Sequence, residues 1–158
     1  MDQTRGFGRA VRNGGFALAL AIVLGWIVVR PASLAAQGGA ETVSRFVAAV
    51  NARDVAAIMA FFADDAVYHN MPNQPISGTA GIRRAVEGFV NPATTIHWEL
   101  LRIAETGNAV LTERVDRFVL NGKDVALPVM GVFELANGRI VAWRDYFDLA
   151  TWQRQTAR

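Results

Sequence analysis

Three glycine-containing turns cut the second half of this chain into four strand-length runs. Thr106-Gly107-Asn108, Asn121-Gly122 and Asn137-Gly138 separate residues 94–105, 109–120, 125–135 and 139–147. Asn-Gly is a strong hairpin signal because both residues accept the positive φ that a tight two-residue turn needs. Runs joined this way predict an antiparallel meander. The pattern upstream is different. Val43, Phe46, Val47 and Val50 recur at helical spacing. Asp54 can cap a following helix through Phe62, which Asp64-Asp65 would end. Residues 66–70 form a short strand candidate, closed by a loop from Pro72 to Pro75. Gly78-Thr79 opens a helix with Ile82, Val86 and Phe89 on one face, and Asn91-Pro92 stops it. A last short helix holds Trp152. Helices followed by a meander predict the α+β class, with a curved antiparallel or mixed sheet wrapped over the helices as a cone with a closed apolar end.

The first residues read differently. Arg5, Arg9 and Arg12 precede an uncharged run over 14–29, followed by Arg30-Pro31 and the small-residue stretch Ala32-Ser33-Leu34-Ala35-Ala36. A basic start, an apolar helix, a breaker and small residues match a signal peptide, with cleavage after Ala35 or Ala36. As a helix the run spans roughly 24 Å, short of a ~30 Å hydrocarbon core, so anchoring would need Arg30 to snorkel. A start site placed too far upstream is the third reading. Residues 1–39 are therefore a signal or membrane-anchor segment, Gly38-Gly39 a flexible boundary, and 40–158 the folded domain. If the segment is real, the body lies outside the inner membrane, periplasmic or anchored; otherwise it is cytoplasmic.

Charge and cysteine count narrow the function. Four arginines against Asp2 give the first 39 residues +3 of the total +2, so the body carries −1. Nucleic acid is not an expected partner. There is no cysteine, which excludes disulfides, thiolate nucleophiles and cysteine-ligated zinc. The two histidines, His69 and His97, have no metal-ligand spacing. No metal or cofactor is expected, and acid–base work falls to carboxylates.

Strand alternation says which polar residues share a face. Arg114 and Asp116 align with Phe118, and Tyr68 aligns with Asn70. Leu127, Val129, Gly131 and Phe133 align on the third run. On the fourth, Val141, Trp143, Asp145 and Phe147 align, while Arg144, Tyr146 and Asp148 point the other way to an interface or a helix cap. Asp116 and Asp145 are thus carboxylates on apolar faces. One reading of Arg114, Asp116 and Asp145 is a buried ion network that holds strands in register. The other is a catalytic set, since such networks often add no net stability over apolar replacements.

Four segments carry a resemblance: Tyr68-His69-Asn70-Met71-Pro72, Thr112-Glu113-Arg114-Val115-Asp116, Gly131-Val132-Phe133-Glu134-Leu135 and the stretch from Gly138 to Leu149. In this order and spacing, over roughly 41–155, the chain resembles the limonene-1,2-epoxide hydrolase family of the nuclear-transport-factor-2-like (SnoaL-like) superfamily. The resemblance implies that Tyr68, Asn70 and Asp145 hold a water, that Asp145 takes its proton, that Asp116 protonates the epoxide oxygen, and that Arg114 bridges the carboxylates. It implies a homodimer paired through the sheet. The N-terminal segment departs from the family pattern. Face assignment and family position together make Phe89, Phe118, Leu127, Val129, Phe147 and Trp152 the expected pocket wall, suited to an apolar terpene, alkyl or steroid-like epoxide. Two other functions stay open: an isomerase or cyclase using a Tyr and a protonated Asp as an oxyanion hole, and a non-catalytic carrier of apolar ligands.

Overall fold

A computed structural model describes residues 38–157. The run over 14–29, and with it the expected hydrophobic helix, cleavage site and membrane contact, lies outside the described residues. No helix among the described residues is long and apolar enough to cross a membrane.

The elements are α1 (Gly39–Asn51), α2 (Val55–Met59), β1 (Phe62–Asn70), β2 (Ile76–Ser77), α3 (Thr79–Val90), β3 (Ala93–Thr106), β4 (Ala109–Leu120), β5 (Lys123–Ala136), β6 (Arg139–Tyr146) and α4 (Leu149–Thr156). One six-stranded sheet runs in the order β2-β1-β6-β5-β4-β3. The meander from β3 to β6 is antiparallel, and its β4–β5 and β5–β6 turns place Asn121, Gly122, Asn137 and Gly138 at positive φ, as the sequence predicts. β1 joins β6 in parallel, which makes the sheet mixed.

The helices cover one side of the sheet. α1 buries Val43, Phe46, Val47 and Val50, the helical face expected of it. The Phe46 ring meets Phe61, Phe62, Trp98, Phe133 and Trp143 edge-on at 5.3–6.2 Å. Aromatic rings in such edge contacts pack the closed apolar end. α3 adds Ile82, Val86 and Val90. α4 is capped by Asp148, whose carboxylate accepts from the Ala150 and Thr151 amides. It is clasped to β5 by Gln155, which exchanges two hydrogen bonds with the Ala126 backbone (2.7 and 3.0 Å).

Three local expectations are corrected. Asp54 does cap a helix, accepting from Ala57 N at 2.9 Å, but α2 ends at Met59. Phe62, Asp64 and Asp65 belong to β1 instead, because Phe62 pairs with Ile140 and is buried by the sheet. Gly39 is not linker. It opens α1, where Glu105 accepts from the Gly39 and Ala40 amides (3.1 and 2.9 Å) and satisfies two free helix-end donors. Val141 does not share the inward face of Trp143 and Asp145. A bulge there skips it in the pairing of β5 with β6, so that Ile140 turns inward.

Candidate active site

The charged residues of β4 sit at alternate inward positions. Val110, Thr112, Arg114, Asp116 and Phe118 are all buried, so one face of one strand carries the polar group into the core. β5 lies beside it with Leu127, Val129, Gly131 and Phe133 inward, and β6 brings Trp143 and Asp145. β1 supplies the remaining pair. Its parallel register sets Tyr68 against Trp143 and Asn70 against Asp145, and Met71 N donates to the Asp145 carbonyl at 2.9 Å. The sequence-predicted five, Tyr68, Asn70, Arg114, Asp116 and Asp145, come together from three strands.

Arg114 is the hub, with only 1% of its surface exposed. Its Nε donates to Asp116 Oδ1 (2.7 Å), its Nη2 to Asp145 Oδ2 (2.6 Å) and its Nη1 to Thr112 Oγ1 (3.2 Å). The flat guanidinium lies over the Trp98 ring, 4.3 Å from its centroid. Gly131 makes room for it: a Cβ at that position would fall 2.2 Å from Arg114 Nη1. Asp145 has a second donor, Trp143 Nε1, at 2.8 Å from Oδ1. Trp143 is itself held between stacked rings, Tyr68 at 3.9 Å and Phe133 at 5.9 Å.

The two carboxylates are therefore unequal. Asp145 accepts from an arginine and an indole. Among the described residues, Asp116 accepts from Arg114 alone. Burial pushes the Asp116 carboxyl up to about 7, against the pull of Arg114 and with help from the Asp145 charge. Burial disfavours charge on Arg114 as well, but Asp145 and Asp116 more than offset this and raise its pKa. The Tyr68 hydroxyl is raised well above its usual value, first by burial and then by Asp145, and stays a neutral donor. Two buried carboxylates with unequal partners are a pair of the kind that general acid–base chemistry uses.

These groups open on a cavity of about 420 Å3. Tyr68, Asn70, Asp116 and Asp145 line it, and so do all six expected wall residues: Phe89, Phe118, Leu127, Val129, Phe147 and Trp152. Phe147 lies just past the end of β6 rather than within it. Arg114 sits behind the wall, reaching the cavity through its carboxylate partners. No group of three or more metal-ligating side chains occurs among the described residues. His69 is occupied elsewhere, its Nε2 2.7 Å from the Asn73 carbonyl, and His97 is exposed.

Sequence reasoning gave no role to Thr112, Gly131, Trp143 or Trp98. The first three could have been found by parity, each standing two positions from a charged residue or amid an inward set. Trp98 could not, because its place depends on the pairing of β3 with β4, which sets it opposite Asp116.

The family described as limonene-1,2-epoxide hydrolase catalytic domain matches residues 37–158. Epoxide hydrolase EphG of Mycobacterium tuberculosis is 40% identical over 110 residues, covering 68% of this chain and 71% of its own length. The solved structure of an M. tuberculosis LEH-like epoxide hydrolase superposes with a TM-score of 0.67 at 32% identity, over 74% of this chain and 87% of that one. An NTF2-like protein of unknown function from Burkholderia pseudomallei superposes at 0.70 with 20% identity, over 76% and 98%. The last is a likeness of fold alone. Together they make the curved sheet and its helices an NTF2-like fold.

Proposed function

The chain belongs to the limonene-1,2-epoxide hydrolase family and is an epoxide hydrolase of that type, and from this premise we propose that it opens an apolar epoxide to a vicinal diol in one step, without a covalent enzyme intermediate. Asp145 takes a proton from a water held with Tyr68 and Asn70, and Asp116 gives its proton to the epoxide oxygen. Arg114 keeps both carboxylates aimed. One observation carries this reading: a single arginine holds a two-donor carboxylate and a one-donor carboxylate beside the same mostly apolar cavity. Family membership favours hydrolysis over the carrier and isomerase readings. The test is a single turnover in ¹⁸O-water on a panel of apolar epoxides. Label in the diol and none in the protein is expected; label in Asp116 or Asp145 would mean an ester intermediate and end the one-step reading.

The acid's protonation sets a pH dependence. Asp116 works only while it holds its proton, so kcat/KM should fall as pH rises above about 7. Conformational stability moves the same way. The native state keeps this proton where the unfolded chain, titrating near about 4, has lost it. The contribution is full in acid and is lost as pH rises through about 7. A rate that keeps climbing between pH 7 and 9 would contradict the role given to Asp116.

Two copies are proposed to pair through the outer face of the sheet. The exposed large hydrophobics recorded among the described residues are Leu101 (47%), Met130 (45%) and Tyr146 (44%). They border one shallow depression with Val115 and Pro128 on the face away from the helices. Charge on that patch should separate the copies: Tyr146→Glu is expected to sediment as a monomer under conditions where the parent is a dimer. A parent that sediments as a monomer at micromolar concentration refutes the pairing.

A further inference from the structure

Arg114 carries N–H donors on every nitrogen of its guanidinium, and it places them in a dry core. The carboxylates take two of the three corners: Asp116 accepts from Nε and Asp145 from Nη2, at 2.7 and 2.6 Å. Nη1, the third corner, donates to the Thr112 hydroxyl at 3.2 Å. Thr112 does not line the cavity and is 1% exposed, so it is placed to meet neither substrate nor bulk water. A hydroxyl in such a place has to be explained by what it does to the arginine.

The hydroxyl is set to accept. Thr112 pairs with Gly131 across β4 and β5, and its Oγ1 donates to the Gly131 carbonyl over a long 3.5 Å. With its proton turned that way, the oxygen presents lone pairs to Nη1. The other neighbours of the guanidinium do not offer this. Trp98 covers its face at 4.3 Å, but the indole Nε1–H is itself a donor, without a partner among the described residues. Asp145 already spends its second oxygen on Trp143 Nε1. A tilt about the line joining the two carboxylate bonds would swing Nη1 away and bend both bonds; the Thr112 bond opposes that tilt. A neutral acceptor does so without adding a third negative charge to compete for the arginine.

We propose that Thr112 is a positioning residue for epoxide opening: its hydroxyl fixes the third corner of the guanidinium and so keeps Arg114 shared between Asp116 and Asp145. This rests on the hydrolase reading for its reaction and adds a residue to it. Without the hydroxyl, Nη1 is a buried donor with nothing to bond, which is unfavourable, and the guanidinium has cause to turn out of its plane. Both carboxylates are then aimed less well, so the loss falls on turnover rather than on binding. The acid is also released in part. Arg114 pulls the Asp116 carboxyl down, against burial and the Asp145 charge, and a loosened arginine pulls less. The other titratable groups facing Asp116 are Asp145 and Tyr68, and a change at Thr112 leaves both in place.

The test begins with Thr112→Val, which keeps the shape and removes the hydroxyl. Its kcat on the epoxide panel should fall roughly tenfold or more, the scale of a hydrogen bond to a charged group, with KM near the parent's. The decline of kcat/KM with pH should move to higher pH than in the parent. Thr112→Ser and Thr112→Ala form a second pair, alike in lost packing and different only in the hydroxyl. Thr112→Ser should keep the parent's turnover and pH profile, and Thr112→Ala should behave as Thr112→Val. Equal kcat in Thr112→Ser and Thr112→Ala, or the parent's kcat or pH profile in Thr112→Val, overturns the proposal. Titration of the Asp116 carboxyl by ¹³C NMR in substrate-free protein reads the same hold without turnover. Its midpoint should lie at about 7 in the parent and in Thr112→Ser, and higher in Thr112→Val and Thr112→Ala. One midpoint shared by all of these proteins overturns the proposal. The expected midpoints in a protein that opens no epoxide would instead count against the hydrolase mechanism and leave the hold of Thr112 on Arg114 standing.

Discussion

Asp145→Asn is expected to lose diol formation on every epoxide that the parent enzyme opens, by roughly 10²–10⁴-fold or to the solvent background. The substitution keeps shape and one acceptor oxygen but removes the proposed base. It also acts at a distance on the acid. The Asp145 charge is one of the causes that raise the Asp116 carboxyl, and Arg114 is shared between the two. With Asp145 neutral, Arg114 should turn its full charge on Asp116 and draw off the proton that the proposed step gives to the epoxide oxygen. One substitution should therefore disable both halves of the proposed reaction. Asp116→Asn should lose comparable activity for a simpler reason: the amide has no acidic proton to give, and whatever rate remains should lack the decline above about pH 7. Both proteins should fold, which circular dichroism and a melting curve would verify, since Asn still accepts from the arginine. Near-parental diol yield from either variant on the whole panel would remove these residues from the mechanism.

Gly131→Ala should be nearly as damaging, although position 131 carries no functional group. The added methyl would sit 2.2 Å from Arg114 Nη1, 2.6 Å from Thr112 Oγ1 and 3.1 Å from Asp145 Oδ1. A flexible arginine could swing clear, but this one is pinned by Asp116, Asp145 and Thr112 and has no exposed side-chain surface. Overpacking of this kind costs about 1–3 kcal/mol, and displacing the guanidinium from a buried carboxylate can raise the loss to about 3–5 kcal/mol. Activity should fall with stability, because the arginine that bonds both carboxylates is what moves. Gly88 supplies the contrast. It is helical with open space at its Cβ, so Gly88→Ala should stabilise the fold by about 0.5–1 kcal/mol. Calorimetric melting of the two variants measures both signs. A fully active Gly131→Ala with an unchanged melting temperature would show that Arg114 is not confined as described.

Much of the site was legible without coordinates because strand alternation is a strict rule. Period two on β4 puts Thr112, Arg114, Asp116 and Phe118 on one face whatever the rest of the molecule does. The same rule on β5 aligns Leu127 with Val129, and the Asn-Gly turns bring those faces together by making the strands adjacent. That is why face assignment, taken together with the family likeness, could name Phe89, Phe118, Leu127, Val129, Phe147 and Trp152 as the wall. Where the rule is broken by one inserted residue it misleads. The bulge at Val141 reverses parity at the start of β6, and nothing in Arg139-Ile140-Val141-Ala142 announces it, since all but the first are apolar enough to face either way.

Local propensity and alternation decided the helices, the meander, and which carboxylates would be buried on apolar faces. They act over a few residues and are written into each segment. Partnership between distant segments was decided by packing alone. Phe62 is helix-compatible in its own neighbourhood and becomes strand because Ile140 awaits it. Asn70 reaches Asp145 through the parallel pairing of the first strand with the last, across most of the folded chain. Trp98 keeps an unpaired N–H because of rings contributed by α1, α3 and β6. Such contacts are set by the free energy of closing long loops and filling one shared core, a property of the whole chain that no window of neighbouring residues contains.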